Sequence, residues 1–150
     1  MKKRRIKPEM ETYHSGGAWV MRDLIERGLL DPPYLVQTVM GAQTASYPTP
    51  EHVLQLVREL PDQTIWLCSG IGPFQLPLTT LALTMGGHAR VGLEDNLYYG
   101  RGRRFIDNAE AVRRVVRIAG ELNRAIATAD QTRQLLGLPA RPNDGASGFR

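Results

Sequence analysis

Short apolar runs alternate with amphipathic segments four times along the chain. The clearest run is Tyr34–Met40, which is almost continuously apolar, as in strands buried on both faces of a parallel sheet. Shorter extended runs are predicted at 5–13, 64–68 and 88–92, and each is followed by apolar residues at helical spacing. Four successive strand–helix units predict an α/β fold with parallel strands and right-handed crossovers.

Residues that start and stop helices divide the chain at matching places. Helix starts are predicted at Thr49 with Pro50, near Pro77, at Asp107 with Glu110, and at Thr128 with Gln131. Residues 98–104 are predicted to form an arginine-rich loop, and hairpin-length connections are expected to be absent. A free-standing four-stranded sheet and half of an eight-stranded barrel share this pattern, so periodicity leaves both open.

Size and composition fit one packed domain. The chain has 150 residues, of which 42% are hydrophobic. Residues 139–150 are polar and glycine-rich, so we expect a disordered tail there. No stretch approaches the roughly 20 apolar residues of a membrane helix. A single cysteine, Cys68, excludes an internal disulfide, so a cytoplasmic location is expected.

The net charge of +4 arises largely at the amino terminus, from Lys2, Lys3, Arg4, Arg5 and Lys7. Such a run is usually a solvated chain end. Aromatic residues make up 7% of the chain, and no zinc-finger or RNA-recognition motif is present, which disfavours nucleic-acid binding.

An adjacent pair of carboxylates, Glu94 and Asp95, follows the fourth extended run, with Arg90 four residues before the first of them. Functional side chains of parallel α/β sheets lie at the carboxyl ends of strands. One carboxylate of such a pair suits a cation, and the other suits a catalytic proton or an arginine partner. The alternative is a surface acidic pair beside an exposed arginine loop.

A second acidic pair, Glu9 and Glu11, lies on the first extended run. Residues two apart on a strand point the same way, and Lys7 shares that side. Two parallel carboxylates repel each other unless a cation lies between them or one keeps its proton. The alternative is that one of them is exposed at a bend.

Other candidate groups have weaker patterns. His14 is a possible ligand or acid/base, although a lone histidine beside serine and glycine more often hydrogen-bonds within a loop. His52, His88 and Cys68 are expected to be structural, and no complete metal site is visible. Ser69, Gly70 and Gly72 precede a helix and are expected to form an anion-binding loop that holds a cofactor phosphate or carboxylate.

Several motifs together resemble the β-keto acid cleavage enzyme family, and the resemblance covers almost the whole chain except its two ends. The motifs are Ile6-Lys-Pro-Glu-Met-Glu11, Thr49-Pro-Glu51, Gly70-Ile-Gly72 with Gln75, Leu83-Thr-Met-Gly-Gly-His-Ala-Arg-Val-Gly-Leu-Glu-Asp-Asn96, Tyr98-Tyr99-Gly100 and Asn108-Ala109-Glu110. The resemblance implies that residues 1–138 are the carboxyl-terminal half of a (β/α)8 TIM barrel.

The resemblance also implies a reaction. A divalent metal, usually zinc, polarises the keto group of a small β-keto acid, and acetyl-CoA takes part in a retro-Claisen exchange that yields acetoacetate and a new acyl-CoA. It implies that Glu94 is a metal ligand and that Asp95 and Arg90 abstract a proton and position the substrate. It also implies that Glu9 or Glu11 lines the site.

The family barrel is about twice as long as this chain, and its His-x-His metal ligands lie in the half that is not represented. A catalytic zinc needs about three protein ligands, so we expect the chain alone to bind metal poorly. A complementing amino-terminal half or a homo-oligomer is the expected partner. The alternatives are a catalytically inactive remnant that acts as a self-associating scaffold, and an unrelated nucleic-acid-binding module.

Overall fold

A computed structural model describes residues 1–4 and 6–139, and its central feature is one sheet of four parallel strands in the order β1-β2-β3-β4. The strands are β1 (Glu9–Thr12), β2 (Tyr34–Met40), β3 (Thr64–Gly70) and β4 (His88–Ala89). The helices are α1 (Ser15–Glu26), α2 (Pro50–Glu59), α3 (Gln75–Thr84), α4 (Asn108–Glu121) and α5 (Ala129–Leu135). The predicted α/β fold with parallel strands is confirmed. Of the predicted tail, only Pro139 lies among the described residues.

Alternation along the strands gives the sheet two different faces. On one face, two apolar clusters join the strands to the first three helices. Their buried members are Tyr34 and Val36 with Ala18 and Met21, and Met40, Trp66 and Cys68 with Val53, Leu56, Leu78 and Ala82. The intervening strand positions point to the opposite face, which includes Glu11, Gln37 and Ser69. The core and the candidate chemistry therefore lie on opposite sides of one sheet.

The fourth strand is shorter than predicted: it ends at Ala89 and not at residue 92. The amide of Arg90 still donates to the Cys68 carbonyl at 3.0 Å, but Asp95 and Asn96 then turn back to the carbonyl of Gly92. This turn ends the pairing and places two carboxylates beside the sheet.

Residues 98–104 form an antiparallel hairpin of β5 (Tyr98–Gly100) and β6 (Arg103–Arg104), so the predicted loop without a hairpin-length connection is wrong here. Gly102 permits the tight turn, because its φ of +76° lies in the left-handed region. The run was too short and too rich in arginine to be recognised as two strands.

Most predicted helix starts agree with the structure. The Asp107 side chain accepts from the Glu110 amide, and Thr128 with Gln131 forms a capping box. Thr49 precedes α2 but does not cap it, because its hydroxyl is hydrogen-bonded to the His52 ring at 2.9 Å. The third helix begins at Gln75, two residues before Pro77. No helix among the described residues is long and apolar enough to cross a membrane.

Replacing Gly87 with alanine should destabilise the fold by about 1–3 kcal/mol, because the new methyl group overpacks the core. A β-carbon at Gly87 would lie 2.3 Å from the Trp66 ring, and that ring is fixed by a 3.0 Å hydrogen bond from its indole N–H to the Thr38 hydroxyl. Urea unfolding measures the loss. The control is Gly120→Ala in α4, where the new atom meets open space and alanine should be neutral or stabilising. Equal midpoints for the two variants would contradict this account of the packing.

Candidate active site

The carboxyl ends of β1 and β4 bring four predicted site residues together, with Glu11, Glu94 and Asp95 arranged around the guanidinium of Arg90. The Nη1 atom of Arg90 lies 2.9 Å from Glu11 Oε1, and its Nη2 atom lies 3.1 Å from Glu94 Oε2. Its Nε atom lies 3.1 Å from Asp95 Oδ2. One planar guanidinium therefore contacts three carboxylates, one from β1 and two adjacent ones after β4, a geometry that suits arginine and not lysine.

Asp95 is the most enclosed carboxylate of this cluster, with its side chain 5% exposed. The Ser69 hydroxyl, fully buried at the end of β3, donates to Asp95 Oδ2 at 2.9 Å. The Gly72 amide donates to the Asp95 backbone carbonyl at 2.7 Å. The end of β3 holds the side chain of Asp95, and the loop that follows β3 holds its backbone, so the carboxylate is kept in one position.

The structure distinguishes Glu11 from Glu9. Besides Arg90, Glu11 accepts a 3.2 Å hydrogen bond from the Gln37 amide and a 2.9 Å bond from the Tyr13 hydroxyl. Glu9 is exposed on the same strand and takes part in none of these contacts. Lys7 is directed elsewhere, to the backbone carbonyls of Asp31 and Pro33.

Neighbouring carboxylates stabilise the charged form of Arg90. Partial burial acts to lower the pKa of Arg90, but the three neighbouring carboxylates outweigh it and place the pKa of the guanidinium above its ordinary value. The hydrogen bond to Glu11 and the charge of that carboxylate raise the pKa of Tyr13. One positive and three negative charges leave the cluster at −2, so a cationic ligand is favoured there.

In the loop with Ser69, Gly70 and Gly72, two backbone amides donate hydrogen bonds to carbonyl groups of the chain itself. The Ile71 amide donates to the Met40 carbonyl, and the Gly72 amide donates to Asp95. Gly70 is needed because a β-carbon there would lie 2.4 Å from the Phe74 carbonyl oxygen. The loop packs closely against the start of α3, and its predicted role in binding a cofactor stays a prediction.

The remaining candidates lie outside this cluster. His14 caps α1, since its Nδ1 atom accepts from the Gly16 amide. Burial of Cys68 raises the pKa of its thiol to about 11, which makes it a poor nucleophile. Burial and the charge of Arg124 lower the pKa of His88. Among residues 1–4 and 6–139, no group of three or more His, Cys, Asp and Glu side chains is placed to hold a metal ion. The residues present therefore do not fit a catalytic zinc by themselves.

Sequence reasoning missed Gln37 and Tyr13, and it did not pair Ser69 with Asp95. Gln37 carried a usable signal, because a polar side chain in an otherwise apolar buried strand needs a partner. Its Oε1 atom has no hydrogen-bond partner among the described residues, although Gln37 is fully buried.

A parallel α/β sheet with carboxylates and an arginine gathered at its strand ends has polar groups where α/β proteins have their binding and active sites. The family model of the beta-keto acid cleavage enzymes matches residues 1–138, and the chain belongs to this family. It is 36% identical over 135 residues to a 3-keto-5-aminohexanoate cleavage enzyme of Fusobacterium nucleatum, an alignment that covers 90% of this chain and 49% of that protein.

Two further relatives show the same partial coverage. A 3-keto-5-aminohexanoate cleavage enzyme of Acetoanaerobium sticklandii is 33% identical, with 92% of this chain and 50% of that protein aligned. A 3-oxoadipate:acetyl-CoA acetyltransferase of Cupriavidus necator is 35% identical, with 98% of this chain and 53% of that protein aligned. The chain spans about half the length of the curated relatives it matches.

Proposed function

We propose that residues 1–138 are the carboxyl-terminal half of a TIM barrel that cleaves a β-keto acid with acetyl-CoA. Family membership and half-length coverage support the half barrel. The sheet supports it as well, because β1 and β4 are its two outer strands and each has one neighbour in the described chain. Such edges pair readily with further strands. A complementing half would supply them and close the barrel.

The observation that carries the functional proposal is the Arg90 cluster at the carboxyl ends of the strands, where TIM-barrel enzymes have their active sites. The proposed reaction exchanges two groups. The carboxymethyl unit of the substrate leaves its acyl carbon and joins the acetyl carbon, which gives acetoacetate. The sulfur of coenzyme A moves from the acetyl carbon to the remaining acyl group, so atoms and charges balance.

Each residue of the cluster receives a proposed role. Asp95 takes a proton from the methylene carbon of the bound substrate and returns it to that carbon when acetoacetate forms, with Ser69 and Arg90 holding the Asp95 carboxylate in place. Arg90 positions the substrate and stabilises the charge that develops next to Asp95. Glu11, and not Glu9, lines the site, because Glu11 contacts Arg90 and Gln37.

Glu94 is the proposed metal ligand of this chain. Its side chain is 83% exposed and directed to the strand ends by Arg90, and the net charge of −2 around it favours a divalent cation. The further ligands would have to come from the complementing half, since a catalytic zinc takes about three.

The test is co-expression of the chain with the amino-terminal half of the Fusobacterium nucleatum relative. We expect a complex of defined mass that holds about one zinc per active site and forms acetoacetate from 3-keto-5-aminohexanoate and acetyl-CoA. The chain alone should hold little zinc. A stable, metal-free homo-oligomer that ignores the complementing half would instead support an inactive scaffold.

A further inference from the structure

The hairpin of β5 and β6, together with α4, concentrates positive charge beside the cluster described above. Six arginines lie on these elements, namely Arg101, Arg103, Arg104, Arg113, Arg114 and Arg117. Among the described residues, two of them have a carboxylate within salt-bridge distance, Arg103 with Glu110 and Arg113 with Asp107. The same elements carry three carboxylates, namely Asp107, Glu110 and Glu121, so six positive charges less three negative ones leave an excess of three, which favours an anion.

The Tyr99 side chain contacts three of these arginines. The guanidinium carbons of Arg103 and Arg114 lie 4.1 Å and 4.0 Å from the centroid of the Tyr99 ring. Arg117 donates to the Tyr99 hydroxyl at 3.2 Å. These contacts hold three guanidiniums in one small region. Arg103 is paired with Glu110, whereas Arg114 and Arg117 have no carboxylate within salt-bridge distance among the described residues. The surface is therefore organised before any anion arrives.

A cavity of about 780 Å³ adjoins the hairpin and connects it with the acidic cluster. Arg101 and Arg114 contribute to its wall, and so do Glu94 and Asp95. The rest is largely apolar and includes Ile71 and Leu76. Its size is that of a small-molecule site. A fitting ligand has a phosphate-bearing end, a long and nearly uncharged arm, and a reactive end near the carboxylates.

We propose that the arginines of the hairpin and α4 bind the phosphates of coenzyme A and that the cavity takes its pantetheine arm, with the thioester directed toward Asp95. This assignment rests on the proposed function, which supplies acetyl-CoA as co-substrate. Bidentate guanidinium–phosphate pairs hold the 3′-phosphate and pyrophosphate. The exposed Tyr98 ring, 5.7 Å from the Arg104 guanidinium, offers the adenine a surface on which to stack.

Calorimetric titration of the full chain tests the proposal with coenzyme A, dephospho-coenzyme A, pantetheine and inorganic phosphate. Coenzyme A should bind most tightly, dephospho-coenzyme A more weakly, and pantetheine and phosphate weakest. Arg101→Ala and Arg104→Ala should each raise the Kd for coenzyme A about tenfold, since each removes a charged donor to phosphate. Neither side chain forms a salt bridge within the described chain, and circular dichroism checks that the fold is kept.

The matched control is Arg58→Ala, which removes an exposed arginine of α2 that does not line the cavity. It should leave the Kd unchanged. Equal Kd values for all three variants, or equal affinity for coenzyme A and free phosphate, would overturn the proposal. Tighter binding of duplex DNA than of coenzyme A would also overturn it and assign the surface to nucleic acid.

The two proposals fail separately. A complemented complex that makes acetoacetate, with a KM for acetyl-CoA unchanged by Arg101→Ala, would leave the function standing and remove this binding site. A chain that binds coenzyme A through these arginines but yields an inactive complex would keep this binding site and remove the proposed function.

Discussion

Asp95→Asn should lower kcat of the complemented enzyme by about 10²–10⁴-fold, because the group proposed to take the proton is lost. Asparagine has nearly the same size, and its carbonyl oxygen still accepts from the Ser69 hydroxyl, so the loop after β3 should keep its position. Bound zinc should stay at the level of the unmodified complex. Initial rates of acetoacetate formation at saturating substrates, with elemental analysis of the same samples, measure both quantities.

The matched variant is Glu94→Gln, the neighbouring carboxylate changed in the same way. This variant should lose bound zinc as well as turnover, since Glu94 is the proposed metal ligand. Both variants should lose activity, but only Glu94→Gln should also lose zinc, so the metal content distinguishes them. Full activity of both variants, or equal loss of zinc in both, would refute this division of roles.

Arg90→Met should reduce the free energy of unfolding by about 3 kcal/mol at pH 7, because it leaves three carboxylates without their shared cation. Asp95 bears most of this penalty, since its side chain is 5% exposed, whereas the side chains of Glu11 and Glu94 are 41% and 83% exposed. Arg90→Lys should recover only part of this loss. Lysine restores the positive charge, but one ammonium cannot reach three carboxylates as the planar guanidinium does. Urea unfolding of the chain measures each change.

The control for this prediction is Arg27→Met, which breaks a salt bridge with Asp23 between two well-exposed side chains of α1 and its end. That pair should contribute less than about 0.5 kcal/mol to the free energy of unfolding. A double variant, Arg90→Met with Asp95→Asn, should lose less than the sum of its two single changes, because the unpaired buried charge has gone. Additive losses would mean that Arg90 and Asp95 do not stabilise each other.

Hydrophobic runs and capping residues predicted the main strands and helices well, because each depends on residues close together in the sequence. The apolar run of β2 and the β-branched run of β3 reflect strands inside a sheet, and the caps of α4 and α5 involve residues three apart. Element ends were less predictable. The length of β4 depends on a turn made by residues 92–96, and the hairpin of β5 and β6 depends on a glycine conformation in an arginine-rich segment.

The amino-acid sequence was enough to predict the α/β class, four strand–helix units with parallel strands, and the resemblance to β-keto acid cleavage enzymes. Tertiary structure alone decided which groups meet. Arg90 and Glu11 are 79 residues apart in the chain, and Ser69 and Asp95 are 26 apart. Periodicity assigns a residue to a face of its own strand, whereas contacts between strands depend on sheet order and register. For that reason the contact of Arg90 with Glu11 and not Glu9, and the hydrogen bond between Ser69 and Asp95, are visible only in the assembled sheet.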